Sequence, residues 1–288
     1  MSEHSEVFFE SYRLAQKAAY DSFLEISEKD FNKVNNTKNN ELDAYLQNEY
    51  QKWLCTPVPM LEEKTPVEYL NAINSFDILL EMFVQGAVIC DDDLPSIFLD
   101  KFMKDDGKAA GALIEIAVES GADHSRNDMI VRVMAVKVLG EYHVECAVEP
   151  LIKLLVSGEG EASELMSETI RDSLVCIGYP ALDSICSALD SEQNSEEAVE
   201  YLLMALTEIG KKNPSDKIYQ KLKENFLRSG RKIVAASCLG DYGDGRAVTA
   251  LRGFLGKNQQ ELDRETFYEI VSAIRKLGGR VDDLKFMQ

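Results

Sequence analysis

The sequence repeats itself at a separation of one hundred residues. Residues 138–155, VLGEYHVECAVEPLIKLL, align without gaps with residues 238–255, CLGDYGDGRAVTALRGFL. Steps of an apolar residue followed by Gly recur through the same part of the chain, at intervals of 30–38 residues: Gly140, Gly178, Gly210, Gly240 and Gly278. Self-similarity at such a period is typical of repeat architectures. The pattern therefore predicts that the second half of the chain is a series of similar units.

Each unit is predicted to be a pair of helices. We expect the first helix to end at the Gly, in a left-handed C-cap conformation. A second helix follows a short turn, and its Ala-Val-x-x-Leu pattern, at 147–151 and 247–251, packs on the first. One pair cannot bury both apolar faces, whereas stacked pairs can, which predicts a solenoid. No alternating run typical of a strand interrupts the sequence, so the fold class is all-α.

These residues resemble the HEAT-like repeats, in the short bacterial form that is also seen in phycobilin lyases. The resemblance covers roughly 107–284, with a degenerate first unit at 107–123, and departs from the pattern between Gly178 and Gly240. It implies an α-α superhelix and a bacterial source. It is specific for the fold and weak for the function, since HEAT arrays serve many roles.

The chain is divided by this reasoning into an all-helical N-terminal region, 1–105, and a repeat array, 106–288. Amphipathic spacing predicts helices at 3–33 and 41–54, with an Asn-rich loop at 32–40 between them. Thr65, Pro66 and Glu68 form the pattern of a capping box with Pro at the first helical position, and predict a helix that continues to about 87. A short helix is expected at 94–103. The N-terminal region is expected to cap the array, because an open array end exposes apolar surface.

Composition restricts the partners and the compartment. The chain has 31 Lys and Arg against 50 Asp and Glu, a formal charge of −19, which repels nucleic acid and anionic membranes. No apolar run is long enough to span a bilayer, and the N-terminus lacks the pattern of a secretory signal. We therefore expect a cytoplasmic protein without a membrane partner. The six cysteines have no C-x-x-C spacing and are expected to be buried thiols: Cys55, Cys90, Cys146, Cys176, Cys186 and Cys238.

Charge is unevenly distributed along the array. Residues 141–200 carry 14 acids and 2 bases, whereas residues 211–232 carry 2 acids and 8 bases. Either these are solvated helix faces, or they form a docking surface for an extended, charge-patterned protein segment. Second helices usually line the binding side of such arrays. The candidate partner-binding residues are Glu149, Lys153, Lys217, Lys221, Lys223, Arg228 and Arg252.

The sequence predicts no catalytic, cofactor-binding or metal-ligating residue. The three histidines are not paired with Glu, and no nucleophile elbow, P-loop or dinucleotide fingerprint is present. His143 is expected to fill an inter-helix turn, at the position that Gly243 takes one hundred residues later. The predicted function is a non-catalytic protein-protein interaction scaffold or regulatory adaptor. Two alternatives stay open: a groove-sited enzyme or cofactor-handling protein, and nucleic-acid binding through 211–232.

Overall fold

The fold is all-α, as the sequence predicts. A computed structural model describes residues 3–29, 37–91, 93–104, 106–119, 126–157, 164–191, 194–228, 230–258 and 260–286. Within these ranges the chain forms fifteen α-helices with short 3₁₀ turns. An isolated antiparallel bridge joins Val58 to Lys64.

The chain folds as two compact units. Unit 1 comprises Met1–Ala112 and Gly121–Met134, and unit 2 comprises Leu113–Ser120 and Ala135–Gln288. Two helices, α6 (Asp106–Val118) and α7 (Arg126–Glu141), contribute residues to both. The sequence-based division at residue 105 was placed where helical segments begin to follow one another with short turns. The role of the N-terminal region as a cap stays a prediction.

Unit 1 is built around an aromatic core. The ring of Phe8 packs against Phe9, Trp53 and Tyr69, and all four side chains are buried. Burying one such ring stabilises a fold by about 1.5–3 kcal/mol, so this cluster holds the helices together. The helices of the unit, besides parts of α6 and α7, are α1 (Glu3–Lys29), α2 (Thr37–Cys55), α3 (Pro66–Asn71), α4 (Phe76–Cys90) and α5 (Ser96–Phe102).

The local predictions for unit 1 are partly right. The capping box is confirmed, because the Thr65 hydroxyl accepts from the Glu68 amide at 3.2 Å and the Glu68 carboxylate accepts from the Thr65 amide at 2.9 Å. The continuous helix to residue 87 is wrong, since the chain leaves the helix between α3 and α4. Asn and Ser compete with the helical backbone for hydrogen bonds, and the break contains Asn74 and Ser75.

The Asn-rich loop is also shorter than predicted. Helix α2 begins at Thr37, so residues 37–40 are helical. The remainder of the predicted loop up to residue 36 lies outside the described residues. One Lys and two Asn residues in the first turn therefore did not prevent helix formation, because propensity differences of this kind are below about 1 kcal/mol per residue.

Unit 2 contains consecutive helix pairs. The first helices pack on one another in order, α9 on α11, α11 on α13 and α13 on α15, while α8 contacts α10 and α12 contacts α14. After α7, the first helices are α9 (Glu164–Ile177), α11 (Glu196–Lys212), α13 (Lys232–Tyr242) and α15 (Arg264–Lys276). The second helices are α8 (Val148–Ser157), α10 (Leu182–Ala188), α12 (Asp216–Arg228) and α14 (Ala247–Asn258).

The sequence repeat corresponds to a structural repeat. Residues 135–147 and 235–247 have the same class of solvent exposure at every position, from the buried first helix to the exposed turn and the buried Ala of the second helix. His143 and Gly243 occupy the same place in this turn, and both have left-handed backbones, with φ of 51° and 85°. The expected equivalence of these two residues is confirmed.

Only some of the five glycines have the predicted C-cap role. Gly178 and Gly278 follow a helix and have positive φ. Gly140, Gly210 and Gly240 instead lie inside their helices, and for them the prediction is wrong. A Cβ on Gly140 would lie 2.6 Å from the Ser173 Cα, so this glycine is required by the close approach of the next first helix.

Candidate functional site

The seven predicted partner-binding residues all lie on second helices of unit 2. Glu149 and Lys153 are on α8, and Arg252 is on α14. The other four are on α12: Lys217, Lys221, Lys223 and Arg228. The chain therefore brings them to one class of element, as the repeat register predicts. The structure differs from the sequence interpretation in the groups that these charged side chains contact.

Two lysines of α12 form ion pairs with the preceding second helix and the turn after it. Lys217 Nζ lies 2.5 Å from Asp183 Oδ1, and Lys221 Nζ lies 2.6 Å from Asp190 Oδ1. The Lys217 pair is exposed, whereas the Lys221 side chain is only 12% exposed. The hydrogen bond from Lys221 holds the pKa of Asp190 below its usual value, and the one to Asp183 raises the pKa of Lys217. These bases therefore serve contacts within the unit.

Two further bases of the same segment bind helix ends. Arg228 Nη2 donates to the carbonyl oxygen of Leu189 at 3.0 Å, just after α10. Lys232 Nζ donates to the carbonyl oxygens of Phe226 and Leu227 at 2.6 and 3.0 Å, in the last turn of α12. Cations at a helix C-terminus satisfy carbonyls that lack a helical partner and complement the helix dipole. Burial lowers the pKa of Lys232.

The same arrangement recurs along unit 2. Arg231 binds Glu200, Arg246 binds Asp216, and Lys276 binds Asp241, at 2.9, 2.7 and 2.8 Å, and Arg252 binds Asp283. Together with the Lys217–Asp183 and Lys221–Asp190 pairs, we call these contacts the inter-repeat ladder. Partners in the ladder are 30–35 residues apart, which is about one repeat. Opposite charges at this spacing meet because equivalent positions of successive units lie side by side.

The ladder contributes little to the stability of unit 2. Exposed ion pairs contribute about 0–1 kcal/mol each, because solvent screens them and the side chains lose freedom. Six of the eight bases in 211–232 donate to a carboxylate or a carbonyl oxygen of the unit: Lys211, Lys217, Lys221, Arg228, Arg231 and Lys232. The basic segment therefore offers an incoming partner far fewer uncompensated charges than the sequence indicates.

Lys153 and Lys223 are the candidates that keep an uncompensated charge. Among the described residues neither forms an ion pair, and Lys153 is exposed on α8. Lys223 Nζ lies 6.0 Å from the centre of the Tyr219 ring. The Arg246 guanidinium also lies near this ring, 4.3 Å from its centre. Glu149 accepts a hydrogen bond from Ser184 of α10 at 2.5 Å.

The described residues contain no group of three or more His, Cys, Asp and Glu side chains placed to hold a metal ion. His143 has a structural contact: its Nδ1 donates to the carbonyl oxygen of Cys176 at 2.7 Å. This bond ties one inter-helix turn to the end of α9. It agrees with the turn-filling role that the repeat register predicts for this histidine.

The expectation of six buried thiols is wrong for most of them. Cys186 and Cys238 are buried and Cys90 is intermediate, while three are exposed: Cys55, Cys146 and Cys176. Burial raises the pKa of the Cys90 thiol to about 12 and that of Cys238 to about 11. A thiol with a raised pKa carries little thiolate near neutral pH and is a weak nucleophile, so neither of these two cysteines is a candidate nucleophile.

Comparison with known proteins gives no relative: no family model matches the chain, and no curated protein resembles its sequence significantly. Among the helices that the structure describes, none combines the length and the apolar character needed to cross a bilayer.

Proposed function

We propose that this protein is a HEAT-like α-α superhelix that acts as a non-catalytic scaffold or adaptor for another protein. The repeat of helix pairs in unit 2 supports this proposal, because such arrays expose one class of helix over an extended surface. The partner is a protein segment with its own charge pattern, and it contacts the second helices. This class of partner suits a chain whose net charge of −19 disfavours nucleic acid.

The observation that carries the proposal is the division of the six basic candidate residues into two groups. Lys217, Lys221, Arg228 and Arg252 are engaged within unit 2 by the ladder or by helix-end carbonyls. Lys153 and Lys223 are exposed or half-exposed on second helices and form no ion pair among the described residues. Charges of this kind steer association and set its salt dependence. The proposed docking surface therefore includes these two lysines, together with Glu149, which lies four residues before Lys153 on α8.

The experiment compares partner recovery by variants of equal net charge. Wild-type protein, Lys153→Glu/Lys223→Glu and Lys17→Glu/Arg264→Glu are used as baits in lysate of the source cells, at about 50 mM and about 500 mM NaCl. Lys17 and Arg264 lie outside the second helices, so their variant controls for charge alone. We expect a stoichiometric protein partner that is released by salt, retained by the control and lost by at least roughly tenfold with Lys153→Glu/Lys223→Glu.

Three results would contradict the proposal. Equal recovery of the partner by both double variants would remove the second helices from the interface. Recovery of nucleic acid in place of a protein would favour binding through 211–232. A small-molecule or enzymatic role would be indicated if no protein is retained and a low-molecular-weight ligand co-purifies instead.

A further inference from the structure

The segment that follows α15, residues 277–286, lies against two helices of unit 2, and we call it the tail. The chain leaves α15 at Gly278, which has a φ of 77°, and residues 277–286 contain no helix. Gly178 has the same kind of backbone after the first helix α9, and there a second helix, α10, follows the turn. The tail therefore takes the place at which an earlier unit has its second helix.

The tail makes the two kinds of contact that a second helix makes. Helix α14 contacts α12, the preceding second helix, and α13, its own first helix. The tail in turn contacts α14 and α15. Arg252 of α14 donates to the carbonyl oxygen of Arg280 at 2.5 Å and to the carboxylate of Asp283. The Phe286 ring lies 5.6 Å from the ring of Phe267 on α15.

The surface beneath the tail combines one cation with apolar side chains. With the tail in place, Phe267 is 1% exposed and Ile274 is fully buried. A Cβ on Gly279 would lie 2.6 Å from Ile274 Cγ2 and 2.9 Å from Val248 Cγ1, so the backbone of the tail runs directly against both helices. We call this surface the tail groove, and define it by Val248 and Arg252 on α14 and by Phe267 and Ile274 on α15.

Arg252 determines which charge the tail groove accepts. Its guanidinium binds a carboxylate and a backbone carbonyl oxygen together, and the planar fork of arginine suits such paired recognition. The hydrogen bond from Arg252 lowers the pKa of Asp283. The aromatic contact is made by Phe286, three residues after Asp283. The pattern that fits the groove is therefore an aspartate followed at the third position by an aromatic residue.

The contacts of the tail are of a kind that a competing segment can replace. The Asp283 side chain is 62% exposed in its pair with Arg252, and exposed ion pairs contribute little net stability. Two successive glycines, Gly278 and Gly279, have wide backbone freedom, so the tail can move away from the groove without unfolding α15. A tethered segment nevertheless has a high effective concentration, which keeps the groove covered until a stronger ligand is present.

We propose that the tail groove binds an extended segment of a partner protein that carries the pattern Asp-x-x-aromatic, and that the tail is an intramolecular competitor of this segment. The aspartate of the partner replaces Asp283 at Arg252, and its aromatic ring replaces Phe286 on Phe267. The site goes beyond the docking surface proposed above, because the two share no residue. It therefore does not depend on that surface.

The test titrates the full chain into a fluorescein-labelled peptide of residues 279–286, GRVDDLKF, and follows fluorescence anisotropy. In Asp283→Ser/Phe286→Ser the tail loses both side-chain contacts and the groove keeps its residues. We expect this opened variant to bind the peptide saturably and at least about tenfold more tightly than the wild type, because apparent affinity rises with the fraction of open groove. Asp282→Ser, which removes the same charge from the tail, should bind like the wild type.

A second pair of variants tests the groove itself. Arg252→Gln, added to the opened variant, should weaken the peptide by about tenfold or more, whereas Lys257→Gln, which removes an equal charge from α14, should leave it unchanged. Thermal unfolding shows that each variant is folded.

Four results would overturn the proposal. The opened variant does not bind the peptide saturably, it binds no more tightly than Asp282→Ser, or the two substitutions in α14 have equal effects. The fourth result is a wild-type dimer in light scattering that the opened variant dissociates, because the groove would then hold the tail of a second copy.

Discussion

Gly140 provides a sharp test of how closely the first helices pack. In Gly140→Ala the new methyl group would lie 2.6 Å from the Ser173 Cα, which is backbone of α9 and cannot rotate away. Overpacking of this kind costs about 1–3 kcal/mol, and a backbone obstacle places the cost at the upper end. Replacing Gly by Ala in a helix interior returns about 1 kcal/mol. We expect a net loss of about 2 kcal/mol.

The assay is unfolding by urea and by heat, followed by circular dichroism at the helical band. A loss of about 2 kcal/mol lowers Tm by roughly 4–8 °C in a unit of this size. The matched control is Gly253→Ala in α14, where a Cβ would meet nothing within 4 Å. The same substitution there should raise Tm slightly, because only the helix-propensity gain remains.

A graded variant tests the distance dependence. In Gly240→Ala the nearest atom is the Ala273 Cα at 3.0 Å, so the loss should be smaller than at Gly140. The reasoning is refuted if Gly140→Ala is as stable as the wild type, or if the order of the two glycines is reversed. Either outcome would mean that α7 and α9 are not in close backbone contact.

Three further predictions concern single side chains. Lys232→Met removes the cation from the Phe226 carbonyl and should cost about 2 kcal/mol in urea unfolding. Asp263 has a lowered pKa, because backbone amides hydrogen-bond its carboxylate; its stabilisation is present above the unfolded pKa of about 4 and is lost as pH falls. Asp263→Asn, which can still cap the helix, should therefore flatten the fall in Tm between about pH 5 and pH 2. Phe286→Ala removes the ring 5.6 Å from Phe267 and should lower Tm by roughly 2–5 °C, and an unchanged Tm would show that the tail does not protect α15.

Much of the fold could be predicted because the signals are local and repeated. The box of Thr65 and Glu68 is decided within four residues, and the helix pairs follow from apolar spacing that recurs over one repeat. The helix break at Asn74 and Ser75 was missed because an apolar pattern continues across it. The role of Gly140 was also mistaken, since a close approach by Ser173 depends on a helix that is distant in sequence.

The candidate site was harder to predict, because the sequence shows charges without their partners. The runs of acids and bases are real, yet Lys217 and Lys221 meet acids that lie 34 and 31 residues earlier. Comparing charge signs at the repeat spacing would have indicated these pairs.

The inter-repeat ladder has a consequence for how such a chain can change by duplication. Each helix pair carries charges that suit only its own neighbours: Lys217 requires an acid at the position of Asp183, and Arg246 requires one at the position of Asp216. A pair that is copied or moved along the array would lose these contacts, because its charged side chains would face different neighbours. The apolar pattern is similar in all units, whereas the charged side chains differ between them. We therefore expect a shuffled array of the same units to be less stable than the native order by about 0–1 kcal/mol for each ion pair that is lost.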